Sequence, residues 1–192
     1  LTPKRPEISL QATCEAMLAP EFTAQTEASG QGQLVAVIDS GIDPGHPDLQ
    51  ETAQGYRKIV DFIDLSNEGQ VNLTAVEARD GYISIGDKKI DVSKTNNVSD
   101  IYKYGYLNLN FLPAQFGLKD TQLLVVATAE KLWNTYDTVY LDTDFDGQIS
   151  DQTPIQVFNR QGQVVVIKGE GDRSFNLLLA EIPAAGDYVK LG

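Results

Sequence analysis

Five consecutive apolar residues, Leu34-Val35-Ala36-Val37-Ile38, lead directly into Asp39-Ser40-Gly41. An apolar run without alternation predicts a strand buried on both faces, of the kind found in parallel sheets covered by helices. Such a strand hands its next side chain to the C-terminal edge of the sheet, where open α/β sheets place their sites. Asp39 is therefore the first candidate functional residue. A carboxylate among apolar neighbours is costly unless paired. A histidine is the partner that gives it chemistry, because the carboxylate fixes the imidazole tautomer and stabilises the imidazolium during acyl transfer. Ser40 and Gly41 are small, so such a partner can approach.

The flanking sequence has another texture. Pro3, Pro6 and Pro20 punctuate a leading arm over residues 1–33, in which residues 10–18 predict a short helix stopped by Pro20. From about residue 55 to 190, short β-branched and aromatic segments alternate with Gly, Asn and Asp turn signals. Strands are predicted near residues 59–63, 81–85, 90–92, 107–109, 123–127, 138–141, 155–158, 164–167, 175–180 and 188–190. Asp80-Gly81 and Gly86-Asp87 flank one predicted hairpin, and residues 159–162 turn another. Tyr102, Tyr104 and Tyr106 alternate at strand spacing, and with Trp133 they read as packing residues.

Composition narrows the function classes. Lys+Arg 15 against Asp+Glu 27 gives a net charge of −12, which repels nucleic acid and anionic membranes and favours hard cations such as calcium. No stretch reaches the 18 apolar residues of a membrane span. The lone Cys14 has no internal disulfide partner and reads as a small apolar residue.

The stretch Gly30 to Leu49, with Val-Ala-Val-Ile-Asp-Ser-Gly-Ile-Asp-Pro-Gly-His-Pro-Asp-Leu at its heart, resembles the aspartate motif of the subtilase family. The resemblance implies that Asp39 is the aspartate of an Asp-His-Ser triad, that Asp43 is a loop carboxylate, and that Asp48 holds a position that often supplies a calcium ligand. It also implies that His46, the single histidine, belongs to the turn and is not the general base. An aspartic protease loop can also begin with two apolar residues and Asp-Ser-Gly, but it needs either a second Asp-Ser/Thr-Gly, which this chain lacks, or a symmetric dimer, whose short all-β frame leaves Gly45-His46-Pro47-Asp48-Leu49 unexplained. The family's His-Gly-Thr-His and Gly-Thr-Ser motifs are likewise absent, so these 192 residues are expected to be inactive by themselves.

Gly186 to Gly192 resembles the segment that leads into the His motif in members with a long insertion between Asp and His. This pattern is similar to tripeptidyl-peptidase-like and pyrolysin-like subtilases. The expected fold is thus α/β subtilisin-like, represented by its first parallel strand and leading arm, with a β-rich insertion domain. Residues 1–50 would belong to the catalytic domain, 51–187 to the insertion, and 188–192 to the return. The resemblance implies a serine-type endopeptidase acting on peptide or protein substrates, with the remainder of the catalytic domain as partner. Export is expected by the same analogy, with a cytoplasmic location left open.

A second acidic cluster follows the segment predicted as a strand at 138–141. Asp142, Asp144 and Asp146 alternate, and Gly147 takes the sixth position, the spacing that wraps a loop around calcium in an EF-hand. The twelfth position is Thr153 instead of a bidentate Glu, and Asp151 could substitute. Three readings stand: a structural calcium turn, a plain Asp/Gly turn, and a loop faintly similar to the Asp-x-Asp-Gly loop of haloacid dehalogenases. A non-catalytic calcium-binding β domain acting in interaction or assembly is the alternative to the peptidase.

Overall fold

The computed structural model describes residues 10–192, which form two compact units, one ending at Gly41 and one spanning Ile42–Gly192. In the first unit, α1 (Leu10–Ala16) is followed by α2 (Ala19–Thr26), with Leu18 between them at φ 57°. Pro20 does not stop a helix as predicted; it sits in the first turn of α2, where a missing N–H leaves no intrahelical bond unmade.

The predicted strand at 34–38 does not form. Leu34, Val35, Val37 and Ile38 are 81%, 76%, 71% and 97% exposed, and no described residue pairs with them. A parallel strand exists only through its neighbours' hydrogen bonds, and the helical unit around this segment offers none.

The second unit is antiparallel throughout. Its strands are β1 (Gln70–Asn72), β2 (Thr74–Glu77), β3 (Tyr82–Ile85), β4 (Lys88–Asp91), β5 (Ile101–Asn108), β6 (Gln122–Thr128), β7 (Thr138–Leu141), β8 (Val165–Lys168), β9 (Ser174–Leu177), β10 (Leu179–Glu181) and β11 (Tyr188–Leu191). A four-stranded sheet runs β2-β5-β6-β7, a three-stranded sheet runs β1-β11-β10, and β3-β4 and β8-β9 are separate hairpins.

Side chains alternate across a strand, so β6 feeds two cores. Leu123, Val125 and Ala127 join Leu107, Val139 and Leu141 in one cluster with Val71, Leu179, Val189 and Leu191 of the three-stranded sheet. Leu124 and Val126 join Tyr102 and Tyr140 in the other, covered by Ile83 and Ile90 of the β3-β4 hairpin and by Ile149. Both faces of β6 are dry, which explains its uninterrupted apolar sequence without any parallel neighbour. Tyr102, Tyr104 and Tyr106 all pack toward the hairpin side, as their spacing predicts.

The two sheets meet at Leu73, which leaves β1 and donates its N–H to the Asp187 carbonyl at 2.9 Å. Lys103 seals this junction by donating to the Ala185 carbonyl at 2.6 Å and to Asp187 Oδ1 at 2.8 Å, with its ammonium 5.3 Å from the centre of the Tyr136 ring. Gly105 of β5 faces β1 so closely that an added Cβ would lie 2.5 Å from the Asn72 carbonyl oxygen.

Three sequence expectations fail here. Residues 59–63 are irregular, held by Arg57 donating to the carbonyls of Phe158 and Asn159, and by the Asn159 side chain accepting from Phe62 N–H at 2.8 Å. Of residues 155–158 only Ile155 bridges a strand, Val139, while Phe158 begins α3 (Phe158–Gln161). The predicted turn at 159–162 is that helix, closed by Gly162 at φ 68°. No helix among the described residues is long and apolar enough to cross a membrane.

Leu123 and Leu124 are 0% and 2% exposed and serve opposite cores. Replacing either with Ala should cost about 2–5 kcal/mol in urea unfolding, and Gly105→Val about 1–3 kcal/mol through the clash with β1.

Candidate functional site

Asp39 is exposed at the end of the extended apolar segment of the first unit. Its Oδ1 accepts from the Gly41 N–H at 3.1 Å and from Ser40 Oγ at 3.4 Å. These bonds to its own turn hold the carboxylate in place, and no hydrogen bond among the described residues engages Oδ2.

The residues after Gly41 form a stitched loop in the second unit. Asp43 Oδ1 accepts from the Gly45 N–H at 2.9 Å and from Asn176 Nδ2 at 2.7 Å. Gly45 lies so near the Asn176 amide that any side chain there would displace it. His46 precedes a 3₁₀ turn, Pro47–Leu49, and its Nδ1 accepts from the Asp48 N–H at 3.2 Å. His46 thus has the turn role expected of it. The Asp48 carboxylate is 86% exposed, and no group of three potential ligands among the described residues includes it.

At the end of β7 the picture is different. Asp142 is 4% exposed; its Oδ2 accepts from the Gly147 N–H at 3.0 Å, whereas its Oδ1 is buried without a hydrogen-bond partner. Asp142, Asp144 and Asp146 each place an oxygen within 4.8 Å of the others. Burial, opposed in part by the Gly147 hydrogen bond and reinforced by the neighbouring carboxyls, pushes the Asp142 carboxyl up to about 6. Phe145 at φ 60° and Gly147 at φ 82° supply the left-handed steps that curl the loop.

Against known proteins, the subtilase family profile matches residues 30–160. The chain belongs to the subtilase family. It is 26% identical over 202 aligned residues to pyrolysin of Pyrococcus furiosus, covering 91% of this chain and 14% of that protein. It is 42% identical over 59 residues to tripeptidyl-peptidase 2 of Oryza sativa subsp. japonica, covering 31% of this chain and 4% of that protein. The Caenorhabditis elegans tripeptidyl-peptidase 2 is 31% identical over 102 residues, or 48% of this chain and 7% of that protein. The chain thus spans a small part of the relatives it matches, and no solved structure matches it.

In this subtilase the sequence-predicted residues fall into separate groups. Asp142, Asp144 and Asp146 come together as their alternation predicts. Asp151 does not join them: the chain turns after Ile149, and Asp151 Oδ1 instead takes a hydrogen bond from Gln152 Nε2 at 3.3 Å. Sequence reasoning missed the amides that fix these loops. Gln152 Oε1 accepts from the Thr143 hydroxyl at 2.6 Å, and its Nε2 donates to Asp144 at 3.0 Å. Gln148 Oε1 accepts from the Asp91 N–H at 2.8 Å, tying the acidic loop to the β3-β4 hairpin. Nothing in local sequence announces a bond to a backbone 57 residues away.

The exposure of Asp39 makes it dispensable for folding of this chain. Asp39→Asn should change stability by less than about 0.5 kcal/mol, while His46→Ala, which removes a turn cap, should cost about 0.5–1 kcal/mol in the same urea titration.

Proposed function

We propose that the chain is the aspartate-bearing part of a serine peptidase of the subtilisin kind, acting on peptide or protein substrates through an acyl-enzyme. The observation that supports this most is the Gly30–Leu49 motif inside the family match, at whose centre the Asp39 carboxylate is held by its own turn with one oxygen uncommitted. In the triad, Asp39 is a positioning residue. It orients a histidine that takes the proton of an attacking serine, and it stabilises the imidazolium that results.

These 192 residues supply neither of those partners. Their one histidine, His46, spends its Nδ1 on the Asp48 N–H. The chain alone is therefore inactive, and its apolar run Leu34–Ile38 pairs into a parallel sheet only with the remainder of the catalytic domain. The two kinds of relative, a pyrolysin and tripeptidyl-peptidases, are both consistent with this reading. In the alternative reading, the β-rich unit serves interaction or assembly without catalysis.

A serine-reactive fluorophosphonate applied to the full-length protein tests this. Labelling of a single serine is expected, with the isolated 192-residue chain unlabelled. Asp39→Asn in the full-length protein should lower kcat by about 10⁴-fold. A full-length protein that resists labelling and hydrolyses no peptide would support the assembly reading instead.

A further inference from the structure

β9 carries one bond that its own hairpin does not need. Asn176 pairs with Val166 of β8 through the backbone, and its side-chain amide donates to Asp43 Oδ1 at 2.7 Å, 133 positions earlier in the chain. The loop it reaches is already stiff. Gln50 Nε2 donates to the carbonyls of Pro44 at 2.7 Å and His46 at 2.9 Å, and Lys58 Nζ donates to that of Asp48 at 2.9 Å. These local bonds leave residues 42–50 unattached to any sheet. Among the described residues, the Asn176 amide makes the one side-chain hydrogen bond that ties them to a strand. Gly45 leaves room for it, because a Cβ there would occupy the place of the amide.

Two residues further on, the same stretch holds Gly192. The Leu178 N–H donates to the Gly192 carbonyl at 3.0 Å, and the Gly192 N–H returns a bond to the Leu178 carbonyl at 3.1 Å. Gly192 also lies against Phe62, where an added Cβ would come within 3.0 Å of the ring. Residues 176–178 therefore grip the β-rich unit both near Asp43, where it begins, and at residue 192.

We propose that Asn176 is a positioning residue for the triad, which fixes the loop following Asp39 through its bond to Asp43 while Leu178 fixes the return of the chain at residue 192. The proposal rests on the peptidase reading, in which Asp39 must meet a histidine supplied by the remainder of the catalytic domain. Asp39 is bonded only to its own turn, so the path of residues 39–43 decides where its carboxylate lies. Four residues of chain reach at most roughly 14 Å, and an anchor at Asp43 limits that path. Misplacement of a catalytic group by about 1 Å can cost on the order of 10²-fold in rate. A carboxylate beside an imidazole favours its charged form and raises its pKa, so an Asp39 that strays lets the histidine pKa fall.

The test is peptide hydrolysis by the full-length protein as a function of pH, with Asn176→Ala beside the wild type and thermal unfolding of both. The variant should lose about 10–100-fold in kcat with KM changed by less than about twofold, and its Tm should drop by no more than about 4 °C. The acid limb of its kcat/KM profile should move to lower pH, which a smaller folded fraction would not cause. Gly45→Ala, which displaces the Asn176 amide and leaves both partners in place, should reproduce the loss. Asn176→Asp sets two carboxylates against each other and should lose as much; adding Asp43→Asn restores a donor–acceptor pair and should return kcat to within about threefold of wild type. Wild-type kcat in Asn176→Ala, or a loss with an unmoved acid limb and no rescue by the double variant, would overturn the proposal alone. A wild-type protein that hydrolyses no peptide would remove the peptidase reading and this positioning role with it.

Discussion

The β-rich unit depends on one strand being dry on both faces. β6 sits between β5 and β7 and places Leu123, Val125 and Ala127 in one core and Leu124 and Val126 in the other. Each of its buried Leu and Val side chains contributes about 1.5–3 kcal/mol, so this single strand anchors two otherwise separate layers. The three-stranded sheet closes one layer and the β3-β4 hairpin closes the other. The irregular segment at 57–62 is held instead by hydrogen bonds to α3, through Arg57 and Asn159.

The same arrangement gives the acidic loop its character. β7 pairs with β6 and is buried along its whole length, so the residue that follows it, Asp142, begins its loop inside the protein. Asp144 and Asp146 reach the surface two and four residues later. A loop of this spacing on an exposed hairpin would be a solvated turn; rooted in a buried strand, it keeps one carboxylate oxygen away from water.

Much of this is readable from the residues, and the exceptions have physical causes. The strands at 123–127, 138–141 and 188–190 carry strong β patterns and appear where expected, and the Gly86-Asp87 turn joins β3 to β4. β1 and β2 are short, carry polar residues at half or more of their positions and owe their pairing to β11 and β5, so no local pattern marks them. The expected strand at 155–158 gave way to α3 because Phe158 turns into the core while Asn159 holds the Phe62 backbone and the Asp61 carboxylate. The acidic trio was legible from its alternation, but the orphaned Oδ1 depends on burial that only tertiary packing creates.

Leu34–Ile38 is the most instructive departure, because its apolar pattern is that of a buried parallel strand and its side chains are nevertheless in water. On the reading proposed above, this segment is a central strand whose neighbours are supplied from elsewhere in the protein, and Asp39 at its end takes a catalytic meaning only in their company. Hydrogen exchange at the amides of residues 34–38, compared between the 192-residue chain and the full-length protein, tests this most directly. Fast exchange in the chain and strong protection in the full-length protein are predicted. Equally fast exchange in both would contradict the account, because Asp39 would then stand on no sheet at all.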